Sequence, residues 1–332
     1  MISYNYTIGV VGCGYWGFNI IKTLQQIGIK NLFIFDKNIK NSLLISKNFK
    51  SVKIAKNLNE LLINKNIKSL IFATPPSENF YLCSKALKNY KNIFVEKPVV
   101  KNKELLLKLH KLSVSKKLIF MSGYIYLYND YINYIKKILK KKLIGKILYV
   151  QLLRKNLGPI RDKVNSYEDL GTHDLSILLF LFGDIFKIKT ITKHNILKRN
   201  ISDISYLQLQ AKNFKIDIES SWLNPEKIRK LLLIGSKKML LFDEMNTNAP
   251  IKIYNKYAYY PKIFSKYKNK YFNKAKIFKG VTSEPKIKFS NPLSNELKHF
   301  LHCIKKAKTP KTDALFAYKV LEKLDRINYF NY

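Results

Sequence analysis

Two short stretches carry residue types that can move a proton. In "NIFVEKPVV" (92–100) an apolar run ends in Glu96 and Lys97, and Pro98, which lacks an N–H, stops the strand there. In "DLGTHD" (169–174) His173 follows Asp169 by four residues and precedes Asp174. A neutral imidazole accepts a proton near pH 7, and a second group such as Asp169 usually orients a base of this kind. Thr172 reads as a helix N-cap, which puts His173 in the first turn, where the helix dipole disfavours imidazolium. Asp169 and Asp174 act in the opposite sense. Taken singly, Glu96 and Lys97 read more readily as a surface ion pair, and His173 as a helix-start residue with a local hydrogen bond. The remaining histidines, His110, His194, His299 and His302, have no metal-ligand spacing, so no metal site is expected.

The elements that must position these groups begin with "TIGVVGCGYWGFNIIKTLQQIG". Ile8 to Val11 suits a strand buried on both faces. Gly12, Gly14 and Gly17 then give G-x-G-x-x-G, and Phe18, Ile21, Leu24 and Ile27 recur at helical spacing. The first glycine permits the tight turn, the second lets backbone approach a pyrophosphate, and the third lets helix pack on strand. The helix N-terminus offers N–H groups to the phosphates. Tyr15 and Trp16 lie inside the motif and count with the cofactor-binding residues.

Asp36 ends the next strand, nineteen residues after Gly17, near the spacing of a carboxylate that takes ribose hydroxyls. It would repel a 2′-phosphate, which favours NAD over NADP; Lys37 weakens that preference. The alternative is a turn aspartate before Asn38. Strand and helix then alternate through "KSLIFATPP", "ENFYLCSKALKNY", "KNIFVEKP" and "NKELLLKLHKLSVSKK". That alternation predicts a parallel doubly wound Rossmann sheet over residues 1–122. Ligands of such sheets sit at the carboxyl ends of the strands. The glycine loop, Asp36, Thr74, Glu96 and Lys97 should all face that crevice.

From residue 123 to 332 the pattern changes. A helix and the strand "KILYVQLLRKN" precede "DLGTHD" and its helix. Turns at Lys212-Asn213 and Gly235-Ser236 then separate alternating runs and read as hairpins. Two amphipathic helices close the chain. The fold class is α/β: a Rossmann domain followed by an α+β domain with a large open, mostly antiparallel sheet. A second subunit could cover such a sheet.

Of 332 residues, 61 are basic and 22 acidic, a net charge of +39. The lysines are spread along the whole chain, so solvated surface is favoured over a nucleic-acid site. The lysine–aromatic stretch at 262–280 is the best place for an exception. Cys13, Cys83 and Cys303 lack metal or redox spacing and fit a reducing compartment. No signal peptide is visible, and the apolar run at 175–183 is too short to span a bilayer. A cytoplasmic location without membrane contact is expected.

With "GCGYWG", "EKP" and "DLGTHD" in this order, the chain resembles the Gfo/Idh/MocA oxidoreductases over nearly its whole length. The resemblance implies hydride transfer between a sugar or polyol carbon and a nicotinamide, in a homodimer or homotetramer. It implies that Thr74 and Pro75 line the nicotinamide side, with Glu96 beside the cofactor. It makes Lys97 the active-site lysine, His173 the usual candidate base and Asp169 its partner. "GYWG", "YLYND" and "RKNLGPIRDKVN" further resemble a branch acting on UDP-N-acetylglucosamine or its uronate. On that likeness Tyr124, Arg154, Asn156, Arg161 and Asn165 join Lys97 and His173 as substrate-binding residues. Relatives often carry His where this chain has Asn79 and Tyr124, which bears on substrate identity. An unactivated polyol such as an inositol is the alternative substrate. A non-catalytic cofactor-sensing or nucleic-acid-binding relative is the alternative from another class.

Overall fold

The apolar runs of the first half form a six-stranded parallel sheet in the order β3-β2-β1-β4-β5-β6. Its strands are β1 (Thr7–Val11), β2 (Asn31–Phe35), β3 (Val52–Ile54), β4 (Ile67–Phe72), β5 (Asn92–Glu96) and β6 (Phe120–Gly123). The chain crosses through α1 (Tyr15–Gln26), α2 (Ile39–Asn48), α3 (Leu58–Ile63), α4 (Pro76–Lys88) and α5 (Lys103–Ser115). The strand order is that of a dinucleotide-binding doubly wound sheet. Ile8, Val10, Leu70, Ile71, Phe72, Ile93, Phe94 and Val95 are fully buried, as strands covered on both faces require. The computed structural model describes residues 6–259 and 275–329. Residues 1–5, at the start of the chain, and 262–274 of the lysine–aromatic stretch lie outside the described residues.

The chain divides into two units, Met1–Asn129 with Ser290–Glu322, and Asp130–Phe289 with Lys323–Tyr332. A single cut after residue 122 therefore does not describe it: α8 (Pro292–Lys306) groups with the first unit. The reason is its apolar stripe. Leu293, Leu297, Phe300 and Leu301 are buried, α8 packs on α1 and on a 3-10 turn at Ile125–Tyr128, and Phe300 meets Phe94 edge-on at 5.8 Å.

The second unit contains α6 (Asp130–Lys140), β7 (Ile147–Lys155), a π-helical turn (Tyr167–Gly171) and α7 (Thr172–Phe182). Then come β8 (Phe186–His194), β9 (Ile204–Ala211), β10 (Lys215–Ser221), β11 (Ile228–Gly235), β12 (Met239–Asp243), β13 (Ile251–Tyr259) and β14 (Lys276–Ser283). The sheet order is β14-β13-β12-β11-β7-β10-β9-β8. The β7/β10 pair is parallel and the other pairs are antiparallel. Alternating burial along β7, β9 and β10 gives one buried and one more open face. The fold is thus a parallel Rossmann sheet plus a mostly antiparallel eight-stranded sheet. Among the described residues no helix is long and apolar enough to cross a membrane. No group of three or more His, Cys, Asp or Glu there could hold a metal ion.

Candidate active site

Strand register brings the sequence motifs of the first unit to one edge. Val11 pairs with Phe35 and Phe72, Phe72 with Val95, and Glu96 with Gly123. The residues that follow, Gly12, Asp36, Ala73-Thr74, Lys97 and Tyr124, therefore leave the sheet side by side. Gly12 N–H donates to the Phe35 carbonyl, and Ala73 N–H to that of Val11 (2.9 Å each).

Each glycine of the loop has its own reason. Gly12 sits at φ +94°, and a Cβ there would run into the Ala73 carbonyl. A Cβ on Gly17 would overlap the Gly12 carbonyl, so only glycine lets α1 start this close to the loop. Around Gly14 there is open space, where a ligand's diphosphate can approach. A cavity of about 350 Å³ lies there, lined by Gly12, Gly14, Asp36, Thr74 and Pro75 among others. Gly14 caps α1 without a side-chain hydrogen bond, leaving the helix start to an anion.

The Asp36 carboxylate accepts from Cys13 N–H (Oδ2, 2.7 Å) and Asn38 N–H (Oδ1, 2.8 Å). A carboxylate has about four lone-pair sites, so about two remain for a diol. Lys37 is drawn to Glu78 (2.9 Å), which takes part of its charge away from Asp36. The donor set therefore fits a dinucleotide. Tyr15 is exposed at the start of α1, and Trp16 is half-buried. Thr74 donates to Oδ1 of fully buried Asn79 (2.5 Å).

Glu96 and half-buried Lys97 close the edge; the Lys97–Pro98 peptide is cis. Lys97 N–H reaches Glu96 Oε2 at 3.3 Å. The carboxylate lies over Gly123, where a Cβ would stand 2.8 Å from Oε2. Burial pushes the Glu96 carboxyl up to about 7, with Trp16 and Lys97 pulling the other way. Tyr124 is buried, its ring edge-on to Phe316 at 5.3 Å, and burial holds its hydroxyl above the usual phenol range.

In the second unit the π-helical turn packs on the central strands β7 and β10. Gly171 comes so close that a Cβ would lie 3.2 Å from Ser220 Oγ. The turn runs straight into α7, so Thr172 is not the N-cap; its hydroxyl returns to the Glu168 carbonyl. His173 thus follows a full turn of helical backbone, and the dipole at a helix start bears on it less than expected. Asp169 and His173, four apart, share one face. Asp169 Oδ2 accepts from the buried Trp222 indole (3.2 Å) and lies 3.8 Å from half-exposed Arg161.

Three of the expected substrate residues are engaged in the scaffold. Arg154, buried, binds Asp174 through Nε (3.0 Å) and Nη2 (2.8 Å). The Asn156 amide donates to the Gly158 carbonyl and accepts from Arg229. The Asn165 amide donates to Glu168 (2.9 Å) and Tyr167 (3.2 Å) and accepts from Ser202 N–H (2.8 Å). Asn165 also borders a cavity of about 410 Å³ with Asp162, Lys163, Lys198 and Arg199. Trp222, Arg229 and Glu296 belong to no sequence motif. Only Glu296 left a signal, a charge inside the apolar stripe Leu293, Leu297, Phe300, Leu301.

Residues 6–124 match the Gfo/Idh/MocA oxidoreductase family, described by its NAD-binding Rossmann fold. A 2,7-anhydro-N-acetylneuraminate hydratase of Escherichia coli K12 is 24% identical over 271 residues, covering 76% of this chain and 70% of the relative. The structure of a UDP-N-acetylglucosamine 3-dehydrogenase from Acidithiobacillus ferrooxidans superposes with a TM-score of 0.80 at 17% identity, over 99% of this chain and 98% of that one. A 3-ketoreductase from Actinomadura kijaniata, in complex with TDP-benzene and NADP, gives 0.78 at 12% identity, over 98% and 97%. These two likenesses are of fold.

Proposed function

We propose that the chain, whose residues 6–124 match the Gfo/Idh/MocA oxidoreductase family, is an NAD(P)-dependent oxidoreductase that oxidises a secondary alcohol of a nucleotide-activated amino sugar to a keto sugar. What carries the reading is the single strand edge that holds a dinucleotide cleft, a ribose carboxylate and a lysine. Asp36 would repel a 2′-phosphate, which favours NAD. A bound nicotinamide would accept the hydride. His173 takes the hydroxyl proton, Asp169 holds the ring from its own helical face, and Lys97 donates hydrogen bonds to the oxygen as negative charge develops. Arg161 remains open to a sugar or diphosphate, since its guanidinium is half-exposed. Arg154, Asn156 and Asn165 serve by shaping strand and loop, and buried Tyr124 by fixing the chain after β6.

The amino-sugar class is supported by the acetamido groups in the names of the hydratase and the UDP-sugar dehydrogenase. Lys163 and Arg199 beside the 410 Å³ cavity suit a diphosphate, while Lys198 there is paired with Asp162 (2.8 Å). The open face of the eight-stranded sheet suits a second copy of the chain. The test is a pair of variants. Lys97→Ala and His173→Ala should each lower turnover by about two to four powers of ten and leave NAD binding intact. Full turnover in both removes these roles.

A further inference from the structure

A second carboxyl lies buried in the first unit, on a residue outside the proposed reaction. Glu296 on α8 is fully buried, and neither of its oxygens has a hydrogen-bond partner; Glu96 Oε1 is likewise buried without one. The two approach the same piece of backbone. Glu96 lies over Gly123, and Glu296 is near enough to the Tyr124 N–H for that group to favour its anion. The packing of α8 on the Ile125–Tyr128 turn keeps it there, tied by Asn295 donating to the Tyr128 carbonyl (3.1 Å). Two buried carboxyls near the same Gly123–Tyr124 backbone cannot both ionise cheaply, and a proton retained by one of them relieves the repulsion.

We infer that Glu296 is a positioning residue: it and Glu96 hold one proton between two buried carboxyls, and the protonated Glu296 keeps the Glu96 carboxylate at the strand edge beside Lys97. The inference rests on the dehydrogenase reading for its purpose, since a single negative charge there would attract the oxidised nicotinamide. The surrounding groups agree. From β5 the pair is faced by Lys97, from α1 by Trp16, and from the 3-10 turn by Tyr128, whose hydroxyl bonds Thr312 (3.0 Å) and stays neutral. Burial raises both carboxyls, and the charge of Glu96 raises Glu296 further.

The test uses the full chain with carbon-13 in its glutamate carboxyls, titrated by NMR without cofactor, and then NAD binding measured across the same pH range. One buried carboxyl should titrate near 7 while the other stays protonated well above the ordinary range. Glu96→Gln should bring the Glu296 titration down. Glu296→Leu removes the donor and should raise the Glu96 titration by about one pH unit, and Glu296→Gln, which keeps a donor, should restore it. Oxidised NAD should bind about tenfold more tightly above this titration than below it, and NADH should not respond. Two independent carboxyls titrating at ordinary values overturn the pair whether or not NAD binds. An intact pair in a chain that binds no NAD at any pH upholds the pair and overturns the dehydrogenase reading.

Discussion

Replacing Glu96 by Gln removes a titration while keeping the shape of the side chain. In the folded chain burial pushes this carboxyl from 4.5 up to about 7. Unfolding returns it to the ordinary value. Between those two pH values the unfolded chain has released a proton that the folded chain still holds, so stability falls as pH rises. The contribution is fully present below the unfolded value and is lost by the time pH has passed about 7. At about 1.36 kcal/mol per pH unit, the displacement is worth roughly 3 kcal/mol. Gln stays neutral throughout. Relative to wild type, Glu96→Gln should therefore gain roughly 3 kcal/mol of stability between about pH 4 and about pH 8. Urea unfolding at both pH values, followed by tryptophan fluorescence, measures it. Trp16 and Trp222 are the two tryptophans, one in each unit, and a Trp222→Phe background isolates the first. A difference that stays within about 0.5 kcal/mol across this range refutes the buried titration.

Gly17→Ala places a methyl group on the Gly12 carbonyl, and should cost about 1–3 kcal/mol in thermal unfolding and abolish NAD binding by calorimetry. Asp36→Ala frees the Cys13 and Asn38 N–H groups and removes the charge facing the ribose, so NAD affinity should fall about tenfold and the preference over NADP should shrink. Asp174→Ala leaves Arg154 buried without its carboxylate and should cost about 3–5 kcal/mol in urea unfolding, most of it recovered by Arg154→Met with Asp174→Leu.

Local physics made the first half readable. A parallel strand buried on both faces announces itself as an apolar run, and the glycines of the loop follow from steric needs that act over a few residues. The hairpins at Lys212-Asn213 and Gly235-Ser236 were visible for the same reason: their strands alternate and their turns are short. What stayed hidden depends on distant partners. Nothing near β7 indicates that it pairs in parallel with β10, and β8 and β14 are too lysine-rich to stand out as strands. The return of α8 to the first unit is decided by what its apolar stripe meets. Arg154, Asn156 and Asn165 look like ligand-binding residues because their polar atoms also suit internal hydrogen bonds. Asp174 and Ser202 lie 20 and 37 residues beyond their partners. Thr172 has the composition of a cap, and only the π-helical turn before it reveals a different role.

Mixing the purified chain with NAD and a panel of nucleotide-activated amino sugars, each carrying deuterium at a single ring carbon, observes the proposed chemistry itself. Absorbance of reduced nicotinamide should appear with one of these sugars, and mass spectrometry should find its deuterium on the cofactor. Bound NAD that none of these sugars reduces would contradict the assignment of this chain as a sugar-nucleotide dehydrogenase.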